Sequence, residues 1–254
     1  MTMLPTNRRT FLTGALAAGA SLAAAPRAFA QVRFGNPRDE KLAAIARQEL
    51  ERAGQAIWRR DIVGIADFGL RSSSPRFHLV NMEAGTVESF LVTHGTGSDP
   101  EHDGWLKTYS NVSGSEMTSR GAYVTWEWYH GKFGLSMRLG GLDPTNDLAY
   151  PRAIVMHPAE YATEDHVARW GKLGRSNGCL ALGPEQFRHC VRNLAGGRLI
   201  FADSFGLESD GSSVVPPVAQ TDYVLPRQPM RPAYDNAYDG GRAAGERGVT
   251  FQLD

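Results

Sequence analysis

Cysteine is scarce in this 254-residue sequence: Cys179 and Cys190 are the only two. Lying eleven positions apart, with no Cys-x-x-Cys pair, they exclude a disulfide framework and a cysteine-built zinc site. A surplus of charge is missing too. Lys plus Arg and Asp plus Glu both number 27, so the overall balance does not point to nucleic acid. Nor is there a run of the roughly 20 apolar residues that a membrane-spanning helix needs, so the mature chain is expected to have no membrane span. What is present is ordinary globular material, 42% hydrophobic and 21% charged, enough for one large domain or two small ones.

The first thirty residues read as transport rather than fold. In "NRRTFLTGALAAGASLAAAPRAFA", Arg8 and Arg9 precede Phe11 and Leu12, a small-residue apolar run follows, and Ala28-Phe29-Ala30 supplies a cleavage signal. The segment resembles a twin-arginine signal peptide, which places the mature start near Gln31 and predicts an exported protein, periplasmic or in the cell envelope. Its removal takes away three arginines and no acid, which leaves a net charge of −3.

Asn36 and Pro37 form a helix start, and Leu42, Ile45, Ala46, Leu50 and Ala53 recur at helical spacing before Gly54, so residues 31–54 are assigned to an N-terminal helix. Residues 61–68, 76–82, 86–93, 121–129, 135–139, 153–156 and 198–203 are rich in β-branched, aromatic and apolar residues and read as strands, with a spacing that suits antiparallel pairing. The second and third are joined by Glu83-Ala84-Gly85 as a hairpin. Thr163 caps a short helix that ends at Gly171, and Pro184 opens another carrying Phe187, Val191 and Leu194 on one face. Cys190 shares that face and is assigned to the core. Residues 207–254 are heavy in Pro, Gly and polar residues and read as an extended or disordered tail. The fold class is therefore mainly β with a few helices, and the function is expected in one domain, residues 55–206.

"GKLGRSNGCLALG", residues 171–183, holds the other cysteine. Free cysteine is commonly a core residue, and that reading of Cys179 stands beside a chemical one. A thiol held as thiolate beside a base attacks carbonyls, and backbone N–H groups stabilise the oxyanion that results. Here Gly178 permits close backbone approach, and the N–H groups of Asn177, Gly178 and Cys179 follow one another. The leading base is His157, at the end of a strand in "IVMHPAEY". A strand-end histidine is often structural, but His157 and Cys179 together outweigh either alone. His94, in "THGTG", is a second histidine that could line the cleft. His94, His102, Asp103 and His166 match no metal-ligand spacing.

"IVMH" followed by "GRSNGC" resembles the signature of YkuD-type L,D-transpeptidases. With "VTHGTGSD" and "YSNVSGSEMTSRGAYVTWEWYHGKFGLSMRLGGLD" upstream, the likeness is greatest to the murein L,D-transpeptidase catalytic domain branch and covers about residues 60–203. The resemblance implies a YkuD-like β-sandwich or barrel, with Cys179 as nucleophile, His157 as base, and the Pro158 carbonyl orienting the imidazole. Ser176 and Gly178 would shape the turn. It further implies attack on the amide between the third residue of a peptidoglycan stem and its terminal D-alanine, giving an acyl thioester. An amine of another stem or of an envelope protein then resolves the thioester, with no cofactor and no metal; resolution by water would make the protein an L,D-carboxypeptidase. Carbapenems are acyl donors that such enzymes accept. The chain departs from the family pattern at Asn177, where many members carry histidine, and at Leu180-Ala181-Leu182, where many carry Arg or Asn. Those departures leave open a catalytically idle peptidoglycan-binding domain, and they leave Arg175 and Arg152 as the nearest candidates for binding a substrate carboxylate.

Overall fold

Asn36 opens the first helix, α1 (Pro37–Ala53), by accepting the Asp39 N–H on its side chain at 2.9 Å, and Pro37 needs no hydrogen bond at that position. The computed structural model describes residues 33–223; the segment expected to be a leader (1–30) and the residues beyond Tyr223 lie outside the described residues. Leu42, Ala43, Ala46 and Leu50 of α1 are buried. They pack in one cluster with Val63 and Ile65 of β1 (Ile62–Asp67) and with Leu199 and Phe201 near residue 200.

The remaining strands are β2 (Phe77–Asn81), β3 (Thr86–Phe90), β4 (Thr108–Ser110), β5 (Gly121–Gly131), β6 (Gly134–Gly141), β7 (Val155–Pro158), β8 (Leu180–Leu182), β9 (Leu199–Asp203) and β10 (Thr221–Tyr223). Eight of them form one sheet in the order β3-β2-β1-β9-β5-β6-β7-β8, while β4 and β10 pair separately. The two edges approach each other: the Thr93 N–H donates to the Ala181 carbonyl at 3.0 Å, and the Ala181 N–H returns to Thr93 Oγ1 at 3.3 Å. A mainly β, nearly closed sheet results, with three helices, the others being α2 (Glu164–Trp170) and α3 (Pro184–Leu194). Along β6 to β8, Met137, Leu139, Met156, Leu180 and Leu182 point to one side and join Phe187, Cys190, Val191 and Leu194 of α3 in the larger core. Side chains alternate across a strand. Ser136, Arg138, Val155, His157 and Ala181 therefore take the other side, which is also the side that α1 covers over β1 and β9.

The hairpin β2–β3 has the pairing its sequence suggests, Asn81 to Thr86 across Glu83-Ala84-Gly85. Spacing alone suggests antiparallel neighbours throughout, but in the eight-stranded sheet two pairs are parallel, β1 with β9 and β7 with β8, and the separate β4–β10 pair is parallel too. Both join segments far apart in the chain, and the alternation inside a strand does not encode the direction of so distant a partner. The β7–β8 pair, with α2 in its crossover, is the one that builds the site.

Candidate active site

In the parallel ladder Met156 faces Leu180 and His157 faces Ala181. Stepping back one residue sets Cys179 beside Val155. His157 and Cys179 thus project from the same face of adjacent strands, as diagonal neighbours. The short β8 that achieves this is the "LAL" segment directly after the cysteine.

His157 is almost fully buried, and its ring is fixed on two sides. Nδ1 lies 3.0 Å from the Pro158 carbonyl oxygen, an acceptor, so this nitrogen carries the proton and Nε2 is left as the basic one. Phe133, on the two-residue turn between Gly131 and Gly134, stacks over the imidazole with centroids 4.2 Å apart and planes inclined by 17°. Burial lowers the His157 pKa, and the bond to Pro158 opposes that shift. The imidazole therefore stays neutral to lower pH than a free one.

Cys179 is 8% exposed, and its thiol donates to the Ala153 carbonyl at 3.7 Å. Burial pushes its pKa up, only partly offset by the Val155 N–H and the nearby Arg152 guanidinium. The sequence pattern suggests a resting thiolate; the buried setting instead favours a neutral thiol beside a neutral imidazole, because desolvation penalises both charged forms. Alkylation of Cys179 by iodoacetamide is accordingly expected to accelerate steadily as the solution becomes alkaline. A rate constant flat between about pH 6 and 8 would instead reveal a preformed thiolate–imidazolium pair.

The turn ahead of Cys179 is braced by Ser176. Its hydroxyl donates to the Cys179 carbonyl at 2.7 Å and accepts the Gly178 N–H at 3.2 Å. The Gly178 N–H is thereby engaged, whereas among the described residues those of Asn177 and Cys179 have no hydrogen-bond partner. Those two remain able to receive an oxyanion. Gly178 has φ +104°, and a Cβ there would stand 2.6 Å from the Met117 carbonyl oxygen and 3.0 Å from Ile154 Cδ1. Gly178→Ala is expected to cost about 2–3 kcal/mol of stability, from backbone strain and a clash with main chain. Thermal unfolding measures this, and an unchanged melting point would mean the turn has slack.

The structure places His94 in a different setting. It is buried in a polar row in which Arg76 donates from Nη2 to His94 Nδ1 at 2.8 Å, so the ring proton is on Nε2, 3.2 Å from Asp99 Oδ2. Burial lowers the His94 pKa to about 4 against the pull of Asp99. Burial also pulls Arg76 down to about 9, which leaves it charged at neutral pH. Burial alone would raise the Asp99 carboxyl, but His94, Lys107 and the Gly104 N–H hold it well below the usual range. Both His94 nitrogens are occupied. Its backbone carbonyl accepts the Ser176 N–H at 3.0 Å, so the row supports the cysteine turn from behind.

Both arginines singled out from the sequence are engaged with backbone carbonyls, Arg152 through Nη1 and Nη2 and Arg175 through Nη1. Arg152 donates to the carbonyls of Ser110 and Met117, at 2.8 and 2.7 Å, and to the hydroxyls of Ser119 and Ser115. Arg175 donates to the Asp99 carbonyl and to that of Pro100 at 3.4 Å. Both guanidinium groups tie loops around the site, and Asn177 is exposed. His102 Nε2 lies 2.9 Å from the Leu173 carbonyl and His166 Nδ1 lies 2.9 Å from that of Lys172. Among the described residues no group of His, Cys, Asp and Glu is arranged to hold a metal ion. Phe133 escaped the sequence reading because it sits between strands; the glycines at 131 and 134 were the available signal for a tight turn.

A tight turn carrying Cys179 and a strand-end histidine are thus brought together by a parallel pair on a mainly β scaffold. The profile of the L,D-transpeptidase catalytic domain matches residues 38–202, and the chain belongs to that family. The match takes in α1, which packs on the sheet. Among solved structures, an L,D-transpeptidase from Mycobacterium smegmatis is similar at 14% identity and a TM-score of 0.36, covering 57% of this chain and 59% of that one. One from Mycobacterium tuberculosis H37Rv has 16% identity, a TM-score of 0.34 and coverages of 57% and 58%. The helical cell shape determining protein of Campylobacter jejuni has 12% identity, a TM-score of 0.35 and coverages of 63% and 55%. This chain spans less than two thirds of each of those chains, and the family assignment rests on the profile match. A search of curated proteins returns no match.

Proposed function

We propose that the protein is a cysteine-dependent L,D-transpeptidase acting on peptidoglycan stem peptides. The observation that carries this reading is the shared face of Cys179 and His157, with Nδ1 engaged by Pro158 and Nε2 free. As Sγ bonds to the scissile carbonyl carbon, its proton passes to His157 Nε2 and the oxygen takes up negative charge, facing the Asn177 and Cys179 N–H groups. The C–N bond then breaks, the departing D-alanine amine takes the proton from His157, and a thioester to Cys179 remains. An acceptor amine attacks the thioester, gives its proton to His157 and displaces the sulfur, which recovers that proton. No step requires a metal or cofactor. Export through the arginine-paired leader would bring the enzyme to its polymer; among the described residues no helix is long and apolar enough to cross a membrane.

The test is product analysis of purified mature protein incubated with disaccharide tetrapeptide. Cross-linked dimer with released D-alanine supports the transpeptidase. Tripeptide alone would make it a carboxypeptidase resolved by water, and unchanged substrate would favour a binding domain.

A further inference from the structure

We propose that Phe133 is a positioning residue for the reaction: its ring holds the His157 imidazole in the plane that presents Nε2 to the reacting atoms, and it keeps water off the covered face. The inference rests on the transpeptidase reading. Phe133 lies in the two-residue turn between the paired Gly131 and Gly134, and Gly134, at φ +76°, supplies the left-handed backbone that reverses the chain there. Turn positions normally go to small polar residues. Here they carry Lys132 and a phenylalanine that stays 46% exposed. That ring belongs to neither core cluster, and its one aromatic contact among the described residues is His157. A residue placed against local preference in this way marks function rather than folding.

The two supports of the imidazole act in different directions. The bond from Nδ1 to the Pro158 carbonyl fixes one atom of the ring and leaves the ring able to tilt about that bond. Phe133 acts along the ring normal, with centroids 4.2 Å apart and planes inclined by 17°, and removes the tilt. A base in a catalytic triad is oriented by a carboxylate; at His157 a carbonyl and an aromatic face do this together. The same contact withholds water from the charged form of the ring, and His157 is 1% exposed. The titratable side chains around the pair are Cys179 itself, Arg152 and Tyr161, which feel its charge, and Lys132, whose ammonium lies 5.7 Å from the Phe133 centroid. None of them shifts His157, which responds to burial and to the Pro158 carbonyl. Phe133 is the part of that burial which one substitution at an exposed turn can lift.

The experiment compares Phe133→Ala, Phe133→Leu and Phe133→Tyr. In Cys179→Ala protein, where no turnover is needed, the titration of His157 is followed by NMR of its ring protons, assigned by their absence from His157→Gln. Phe133→Ala should move the midpoint upward, toward the free-imidazole value of about 6.5, because the charged form regains water. With Cys179 intact, Phe133→Ala should lower kcat for stem tetrapeptide about 3- to 10-fold, the scale of an aromatic pair, with KM little changed and the acid limb displaced upward in step. Phe133→Leu, which excludes water without a flat face, should keep the midpoint and lose kcat. Phe133→Tyr should restore both. An unmoved midpoint in Phe133→Ala, or a rise in its KM at unchanged kcat, overturns the proposal. A moved midpoint with no turnover by the wild-type enzyme would sink the transpeptidase reading and leave the hold on His157 standing.

Discussion

Cys179→Ser is expected to lower turnover of stem peptide by at least about 1,000-fold, roughly 4 kcal/mol of lost transition-state stabilisation. Serine fits the space, so folding should be little affected. The loss comes from the acid strength of the two groups: an alcohol stays protonated far above the range of a thiol, and a single buried imidazole without a carboxylate partner is a weak base for it. His157 Nδ1 leans on a backbone carbonyl rather than a carboxylate. A carbapenem, as a strained acyl donor, should leave an adduct on wild-type protein that maps to the peptide from Ser176 to Arg188, and the serine variant should show little. Cys190 should stay unmodified in the folded protein, since it is fully buried against the α3 core and burial pushes its thiol well up. An adduct on Cys190, or a fully active serine variant, would remove Cys179 from the mechanism.

His157→Ala should reduce kcat/KM by about 10²- to 10⁴-fold, the usual worth of a general base. The remaining fold should be near normal by circular dichroism, because the ring makes one hydrogen bond and one stack. His94→Ala should behave in the opposite way. It would leave a charged, fully buried Arg76 and the Asp99 carboxylate short of a partner, which typically costs about 3 kcal/mol or more of stability. In the wild-type enzyme the acid limb of kcat/KM should fall below pH 6.5, since burial lowers the His157 pKa and the neutral form is the active one. A variant pair in which His94→Ala lost rate at normal stability, and His157→Ala did not, would exchange the two roles.

How much of this was legible in the sequence differs between elements. Asn36 with Pro37, Thr163 with Gly171, and Pro184 mark the starts and stops of α1, α2 and α3 because capping is satisfied within a few residues of chain. The strands from β1 to β3, and β5, β6 and β9, follow from composition and alternation, and the β2–β3 hairpin follows from its short turn. Ser176, Gly178 and Cys179 could be recognised as a tight turn from adjacent letters. Three-residue strands such as β4 and β8 carry too little pattern to stand out from loops.

The tertiary structure decided what depends on distant partners. The parallel β7–β8 pairing sets Cys179 beside His157, and no local periodicity reports a partner more than twenty residues away. Desolvation works in the same way: the thiol is raised and the imidazole lowered by what folds over them, Phe133 included. Arg152 and Arg175 look like free cations in the sequence, yet residues 110–119 occupy both terminal nitrogens of Arg152 and the carbonyls of residues 99–100 hold Arg175 Nη1. Sequence by itself determined the turn ahead of Cys179 and the elements whose hydrogen bonds close within themselves. Register and burial were settled by the fold, because each is a property of contacts between segments far apart in the chain.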